Sequence, residues 1–580
     1  MNNQASSVTH TRVNVRMLSF DYRPTKVADY FVVVFPAFLV LVLSLWFYTG
    51  SHGSDDLGYA DLAYSMLDPT QANGPAGHHA GRVGMTIPLA GVFALFGVND
   101  YSLSLLSMLS TVVTAGLLAK LTQRSFGNMA AIIAGCLYAF FPPTINLASD
   151  FIPEPLLNLE LTLASVLFLG TLGQETGAGI KNYLAGLLIG AAYLTTEVGA
   201  LMVGVFAIYL LVSRQFRPVH LWVLAGFLTV FCAELLGHAI IHGNAFYRYS
   251  LGAKYMEDPM LVSANADLAY RLFKSYPSYF VYPNWEFGIS GPLLLIAGVY
   301  GVVKFRTCSF FVIWAAVIFV FYNFISVSMS HYVVLPAASR LINPGCLPLL
   351  VLAGVALSDL WQTLNRRAGP QIKTLSMAVI VTLLGGQILV SLLCMSLLDK
   401  RGGFTGLLAR NVEMASVRLQ NIPALTLISD GQSARLFKYY RQYRPQDSYI
   451  DMKSAVDALG QNSKIDQQKP IFALLNMPLL YEKNLTGGLY GGGLSLNNDA
   501  IALTQWIVDH CGLIFSANVD TGQSIFEKKF GHARIEKLLN IKNHGNNEND
   551  TLTKVKVFQC GDPARANDAR PNDATQIIQR

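Results

Sequence analysis

Charged side chains are scarce in this sequence of 580 residues. They make up 13% of it and hydrophobic residues make up 52%, whereas soluble proteins carry about 25% charged residues. The apolar residues form long blocks that short charged segments separate. This pattern excludes an ordinary soluble protein and predicts an α-helical protein that crosses a membrane many times. The net charge of +6 does not indicate nucleic-acid binding, because the basic residues lie in short loops where they set membrane orientation.

Cysteine is also sparse, and none of the seven cysteines stands at the spacing of a metal site. Cys511 and Cys560 could form a disulfide if the end of the chain is extracytoplasmic, although buried free cysteines are also common. The sequence lacks a cleavable signal peptide, because residues 1–27 are polar and the apolar run after them is too long. It also lacks the internal repeat of a transporter built from inverted halves. The first apolar run is therefore expected to remain as a membrane anchor.

This first run, Asp29 to Gly50, has about 20 apolar residues, enough to cross the hydrocarbon core as a helix. Basic residues precede it, so segment 1–27 is predicted to be cytoplasmic. The same rule applied to every loop predicts eleven spans and an extracytoplasmic C-terminus. The predicted spans are residues 29–50, 101–121, 127–147, 155–173, 181–196, one ending at 212, 219–241, 289–304, 308–327, 334–357 and 374–397.

The predicted membrane module, residues 28–398, has two long outer loops, residues 51–100 and 242–288. The first of them contains a short apolar stretch, Val83 to Val98, with several glycines and a proline. As a span it would place the next basic loop on the wrong side of the membrane. We therefore interpret it as a surface or re-entrant helix.

The composition changes at Asp399, where the apolar runs shrink to strand length. Strands are predicted at Ala424–Ser429, Pro470–Leu475, Gly512–Ala517, Ser524–Phe530 and Thr551–Gln559, and helices at Ser433–Arg441 and Ala500–His510. Alternating strands and helices predict an extracytoplasmic α/β domain over residues 399–535. Residues 536–580 are predicted to form a polar, partly disordered tail.

Two adjacent carboxylates, Asp55 and Asp56, follow the first span. The spacing of the residues after them predicts a short amphipathic helix over 55–67 on the membrane surface, with the acids at the end that the helix dipole favours. Such a pair can also act merely as an N-cap. Nearby histidines could join the pair around a divalent metal, but histidines in surface loops are usually just solvated, so we predict no metal or other cofactor. These histidines are His52, His78 and His79.

More charged residues are predicted on the same side of the membrane. They are Arg82, Asp150, Glu154, Glu197, Arg248, Lys254, Arg271, Lys274 and Arg340. A carboxylate beside cations at the bilayer surface suits sugar transfer from a lipid phosphate, because cations can hold the leaving phosphate and the carboxylate can deprotonate an acceptor hydroxyl. Glu154, which precedes a proline, could instead simply start a helix. The Tyr-rich loop 242–288 is most simply an interfacial aromatic belt, but it could also stack on a sugar.

Five short segments between residues 28 and 350 occur in a characteristic order. They are Asp55-Asp56-Leu57-Gly58-Tyr59-Ala60-Asp61, Arg82-Val83-Gly84 through Leu95-Phe96-Gly97, Pro153-Glu154-Pro155-Leu156-Leu157, Leu194-Thr195-Thr196-Glu197 and Arg340-Leu341-Ile342-Asn343-Pro344. In order and spacing they resemble motifs of the GT-C glycosyltransferases, membrane enzymes that include protein O-mannosyltransferases and lipid A aminoarabinose transferases. Two positions depart from the family pattern: Thr196 stands where a cation is frequent, and Leu341 replaces the usual Tyr.

The resemblance implies an inverting transferase that takes a sugar from an undecaprenyl- or dolichyl-type phosphate. The acceptor would be an extracytoplasmic glycan, lipid or protein, and the protein would lie in the bacterial inner membrane with its site on the extracytoplasmic side. The resemblance implies Asp55 as the catalytic base. The residues expected to bind donor or acceptor are Asp56, Tyr59, Arg82, Glu154, Glu197 and Arg340.

The alternative is a polytopic transporter or lipid flippase without transferase activity. A transporter should bury ionisable groups in mid-span. The main candidates are Glu234 and His238, which lie near the outer end of a predicted span. The outward clustering of the acids favours the transferase.

Overall fold

The computed structural model describes residues 27–71, 78–174, 176–256, 268–282, 286–326, 332, 338–367, 370–399, 403–429, 431–451, 469–476, 507, 511–518 and 554–560. Helices dominate. They are α1 (Val27–Trp46), α2 (Asp55–Leu67), α3 (Val83–Phe96), α4 (Asp100–Phe126), α5 (Asn128–Ala139), α6 (Pro142–Ala148), α7 (Pro153–Leu169), α8 (Ala178–Thr195), α9 (Leu201–Ser213), α10 (Leu221–His242), α11 (Tyr247–Met256), α12 (Leu268–Phe273), α13 (Tyr276–Val281), α14 (Ser290–Val303), α15 (Phe305–Phe324), α16 (Ser339–Arg367), α17 (Pro370–Asp399), α18 (Gly403–Arg418) and α19 (Gly431–Tyr440).

Several of the described helices are long and apolar enough to cross a membrane. The five such segments are Asp29–Trp46, Asp100–Phe126, Pro218–His242, Phe305–Phe324 and Ser339–Asn365. Helices α5 and α6, which meet at 58°, would make a sixth as one bent span. The chain is therefore a multi-pass membrane protein, while the count of eleven spans remains a prediction.

Small residues bring the membrane helices close together. A Cβ atom added to Gly186 of α8 would lie 2.0 Å from the carbonyl oxygen of Val223, and one added to Gly226 of α10 would lie 2.2 Å from that of Tyr183. The two helices therefore touch backbone to backbone. Such contacts are typical of membrane helices, because lipid offers no hydrophobic driving force and association depends on close packing.

The predicted helix in the first loop is confirmed, since α2 runs from Asp55 to Leu67. It buries Leu57, Tyr59 and Ala60 against the neighbouring elements. Helix α3 covers most of the stretch Val83–Val98 and packs against α2, α4 and α8. Its predicted position at the membrane surface remains a prediction.

The C-terminal part contains the predicted mixed α/β fold. Its strands are β1 (Thr426–Ser429), β2 (Ser448–Asp451), β3 (Ile471–Asn476), β4 (Cys511–Asn518) and β5 (Lys554–Cys560). The order in the sheet is β2-β1-β3-β5-β4. Strand β1 runs parallel to β2 and β3, and β5 runs antiparallel to β3 and β4. A disulfide joins Cys511 to Cys560. The predicted strand Ser524–Phe530 and nearly all of the predicted helix Ala500–His510 lie outside the described residues.

The C-terminal domain packs directly on α2. Asp61 accepts hydrogen bonds from Arg435 Nε at 2.8 Å and from the Tyr443 hydroxyl at 2.7 Å. The ring of Tyr64 stacks on that of Tyr443, with centroids 4.2 Å apart. A hydrophobic core continuous from α2 and α3 into the domain supports these polar contacts. The helix that begins with Asp55 is therefore held between the membrane helices and the C-terminal domain.

Candidate active site

Asp56 organises the turn that leads into α2. Its carboxylate accepts hydrogen bonds from Ser51 Oγ at 2.6 Å, from the backbone N–H of His52 at 2.9 Å and from that of Ser54 at 2.6 Å. The side chain is fully buried. Burial raises the pKa of Asp56 above its usual value, and the negative charge of Asp150 raises it further. Because protein donors surround both oxygens, this placement does not support the binding role predicted for Asp56.

Asp55, one residue earlier, has a contrasting environment. Its side chain is 27% exposed and its Oδ2 lies 2.7 Å from Arg340 Nη2. Its Oδ1 lies 3.4 Å from His79 Nε2. Burial alone would raise the pKa of Asp55, but the hydrogen bond with His79 and the charge of Arg340 outweigh it and hold the pKa well below its usual value. Asp55 is thus an ionised carboxylate that a ligand can reach.

Arg82, the N-cap residue of α3, provides a second cation beside α2. Its Nη1 donates to the Tyr59 hydroxyl at 2.8 Å, and its Nη2 lies 3.8 Å from Glu197 Oε2. Tyr59 is fully buried, and burial raises its pKa to about 12 although Arg82 acts in the opposite direction. Tyr59 therefore positions Arg82 and is not open to a ligand. The side chains of Arg82 and Arg340 are 22% and 34% exposed, so both guanidinium groups remain accessible.

Glu197 connects Arg82 to a buried ion-pair network. Arg248 donates from Nε to Glu197 Oε1 at 2.8 Å, from Nη1 to Glu234 Oε1 at 2.9 Å and from Nη2 to the carbonyl oxygen of Tyr193 at 2.7 Å. Arg248 thereby ties α11 to α8 and α10. His238 Nε2 lies 3.7 Å from Glu234 Oε1. Arg248 is paired with both acids, and burying its charge demands such pairing.

Glu154 lies at the start of α7, buried, and faces the charges of Arg340, Arg82 and Asp55. Its Oε2 has no hydrogen-bond partner among the described residues. The five predicted segments thus bring four of their charged residues to one place: Asp55, Arg82, Glu154 and Arg340. Glu197 joins them through Arg82.

Loop 242–288 carries three further predicted cations, Arg271, Lys274 and Lys254. Arg271 is buried and donates to the carbonyl oxygen of Asn323 at 2.8 Å. Lys274 is exposed. The side chain of Lys254 lies outside the described part of the chain.

Two histidines of the first loop each face an acid in the structure. His52 Nδ1 lies 3.4 Å from Asp150 Oδ2, and His52 Nε2 lies 2.8 Å from Thr49 Oγ1. His79 faces Asp55, and the side chain of His78 lies outside the described residues. Within the described ranges, no three His, Cys, Asp or Glu side chains are grouped as a metal site would require.

Sequence reasoning missed the contribution of the C-terminal domain to this site. Arg410 Nη2 lies 2.9 Å from Asp100 Oδ2 and donates to the carbonyl oxygen of Ser51 at 3.3 Å. Gln432 Nε2 donates to the carbonyl oxygen of Gly53 at 2.8 Å. No local pattern marks these residues, because their partners are more than 300 positions away in the sequence.

Known proteins share this architecture. Residues 86–236 match the family of dolichyl-phosphate-mannose-protein mannosyltransferases. The ArnT protein of Cupriavidus metallidurans in the apo state is 18% identical, with a TM-score of 0.51 over 76% of this chain and 91% of that chain. Its structure bound to undecaprenyl phosphate is 17% identical, with a TM-score of 0.51 over 79% of this chain and 95% of that chain. The oligosaccharyltransferase of Archaeoglobus fulgidus in the apo form is 11% identical, with a TM-score of 0.52 over 86% of this chain and 75% of that chain.

The chain has the GT-C fold. The resemblance expected from the five segments is thus confirmed for the architecture. The family match includes Glu154 and Glu197, but Asp55 and Arg340 lie outside residues 86–236. The archaeal oligosaccharyltransferase has also been solved in complex with zinc and sulfate. No curated protein matches this sequence.

Proposed function

We propose that this protein is an inverting glycosyltransferase that moves a sugar from a polyprenyl phosphate to an acceptor hydroxyl. The observation that carries the proposal is the pairing of Asp55 with Arg340 at 2.7 Å, with both side chains partly exposed. An accessible carboxylate can serve as a general base, and an accessible guanidinium can hold a phosphate through two hydrogen bonds. The match to mannosyltransferases and the undecaprenyl phosphate bound to the ArnT protein support the donor class.

In the proposed reaction, the acceptor oxygen attacks the anomeric carbon as its proton passes to Asp55. The new bond joins the acceptor oxygen to that carbon. The bond between the carbon and the phosphate oxygen breaks, and its electron pair leaves with the polyprenyl phosphate. Arg340 and Arg82 stabilise the negative charge on the phosphate, because guanidinium groups in a partly desolvated site interact strongly with it. Attack from the side opposite the phosphate inverts the anomeric configuration.

Glu154 and Glu197 have supporting roles in this proposal. Glu154 lies among the two arginines and Asp55 with one oxygen unpaired among the described residues, so it can accept a hydrogen bond from a sugar hydroxyl. Glu197 pairs with Arg82 and Arg248 and fixes the position of Arg82. None of the residues described above indicates whether the acceptor is a glycan, a lipid or a protein.

We also propose that the site faces the extracytoplasmic side of the bacterial inner membrane. The basic residues before α1 support a cytoplasmic N-terminus. The Cys511–Cys560 disulfide supports an extracytoplasmic C-terminal domain, because disulfides persist in oxidising compartments. The transporter alternative gains little support, since one of its two candidate residues, Glu234, is already paired with Arg248, and the other, His238, lies 3.7 Å from Glu234.

Replacing Asp55 by Asn tests the proposal. Asn keeps the shape of Asp55 but cannot take up the proton, so turnover should fall by at least about 100-fold. The helix start and the partly exposed pair with Arg340 each contribute about 1 kcal/mol to stability, so the variant should still fold, with a modestly lower melting temperature. Asp68→Asn at the other end of α2 is the matched control and should keep full activity. Wild-type turnover of Asp55→Asn would contradict the assignment of the base.

A broader experiment addresses the substrate. Mass spectrometry of envelope glycans, lipids and glycoproteins, with and without the protein, should reveal one acceptor that loses a sugar. An unchanged envelope under conditions where the protein is expressed would contradict the transferase.

A further inference from the structure

His79 is placed against α2 by three separate contacts. Its Nε2 lies 3.4 Å from Asp55 Oδ1. Its ring stands edge-on to the ring of Tyr59, with centroids 4.8 Å apart and an angle of 88°. A Cβ atom on Gly58 would lie 3.0 Å from His79 Nδ1. Glycine is unfavourable inside a helix, but here it leaves the space that the imidazole occupies.

The other oxygen of Asp55 is held by Arg340, and this contact must open before the proposed transfer can take place. In an inverting transfer, the base and the leaving phosphate lie on opposite sides of the anomeric carbon. A sugar ring must then fit between Asp55 and the phosphate. With Arg340 Nη2 only 2.7 Å from Asp55 Oδ2, Arg340 cannot serve the phosphate and remain on the base. Arg340 can therefore hold either Asp55 or the donor phosphate, but not both at once.

We propose that His79 is a positioning residue that holds Asp55 through Oδ1 while Arg340 leaves Oδ2 for the donor phosphate. This inference rests on the proposed function. Once Arg340 has moved, the hydrogen bond from His79 Nε2–H is the remaining described side-chain contact of Asp55. It keeps Oδ2 directed at the acceptor hydroxyl. A neighbouring positive charge favours the carboxylate and so weakens it as a base. The departure of the guanidinium therefore makes Asp55 a stronger base at the moment when the donor is in place.

The pH dependence of the reaction reports this contact. The titratable and charged groups that face Asp55 come from several elements and are Tyr59, His79, Arg82, Glu154 and Arg340. Of these, His79 and Arg340 hydrogen-bond to the carboxylate and lower its pKa. Removing His79 should therefore raise the pKa of Asp55. The acid limb of the pH profile of kcat/KM, which reports the free enzyme, should move to higher pH.

The experiment compares His79→Leu with His79→Gln in the full-length protein. His79→Leu should lower kcat roughly 10-fold or more, since the base loses its orientation, and should shift the acid limb upward. The affinity for undecaprenyl phosphate, used alone as the probe, should stay within about twofold, because Arg340 and Arg82 remain. His79→Gln should restore most of kcat and the acid limb, since its amide N–H can take the place of Nε2–H. His242→Leu, at the end of α10, is the control histidine and should behave as wild type.

Three results would overturn the inference. The first is a wild-type kcat and pH profile for His79→Leu. The second is an equal loss in His79→Leu and His79→Gln together with a lower melting temperature, which would give His79 a merely structural role. The third is full activity of Asp55→Asn, which would remove the base itself and with it the proposed function. In the first two cases Asp55→Asn would still be inactive, so the two failures are distinguishable.

Discussion

The contact between α3 and α8 should control the geometry of the site. A Cβ atom on Gly84 of α3 would lie 2.6 Å from the backbone nitrogen of Thr195 and 2.7 Å from the carbonyl carbon of Leu194. Both are backbone atoms, so no side chain can turn away. To reach an ordinary contact of 3.4 Å from 2.6 Å, the helices would have to separate by about 0.8 Å. Gly84→Ala should therefore push α3 away from the turn that carries Glu197.

A matched control lies on the same helix. Gly91 has no atom within 4 Å of an added Cβ. The gain in helix propensity is at most about 1 kcal/mol for either substitution, so a loss of stability in Gly84→Ala relative to Gly91→Ala beyond that amount reports the steric term. Overpacking of this kind costs about 1–3 kcal/mol. The melting temperature in detergent should therefore be lower for Gly84→Ala than for Gly91→Ala.

Activity should separate the two variants as well. Arg82 is the N-cap residue of α3 and pairs with Glu197 just after α8. A displacement of about 1 Å in a catalytic arrangement can cost roughly 100-fold in rate. We expect kcat/KM of Gly84→Ala to fall about 10-fold or more, and that of Gly91→Ala to stay at the wild-type value. Equal melting temperatures and equal activities for the two variants would refute the close approach of α3 to α8.

Three further predictions follow from the same geometry. Arg340→Lys should raise the donor KM roughly 10-fold, because an ammonium group cannot match phosphate with two parallel hydrogen bonds; unchanged affinity for undecaprenyl phosphate in Arg340→Ala would restrict Arg340 to its pairing with Asp55. Asp56→Asn should lower the melting temperature, since an amide replaces an oxygen that accepts hydrogen bonds worth about 1.5–3 kcal/mol each, while activity per folded molecule should fall less than in Asp55→Asn; the opposite order of activities would assign the base to Asp56. A reporter that is active only in the cytoplasm should be inactive when fused after Lys400, and activity there would overturn the topology.

Local patterns predicted the elements whose signals are local. The strands β1, β3 and β4 were predicted because each is a short apolar run between turn residues, and β5 falls on the strand predicted at Thr551–Gln559. Strand β2, Ser448–Asp451, was missed, since it has two polar residues out of four and lies at the edge of the sheet. This edge strand is defined by its pairing with β1. The paired residues of the two strands lie more than 20 positions apart in the chain, and pairing at that distance leaves no periodic signal in the sequence.

The partners of the charged residues were harder to predict. The basic residue at the head of α16 was expected to bind the donor or the acceptor. The structure pairs Arg340 with Asp55, 285 residues away in the chain. The resemblance to GT-C motifs named both residues, but it did not indicate that they touch. Ion pairs depend on which helix ends meet, and a single sequence does not contain that information.

The adjacent acids show where sequence information ends. Asp55 and Asp56 are chemically identical, and both lie in the first turn of α2, where the helix dipole favours a negative charge. Consecutive residues on a helix point in directions about 100° apart, so the two carboxylates enter different surroundings. Asp56 turns inward to backbone donors that lock the preceding turn, and burial raises its pKa. Asp55 turns toward His79 and Arg340 and stays partly exposed. The fold, and not the dipeptide, therefore decides which of the two acids a ligand can reach.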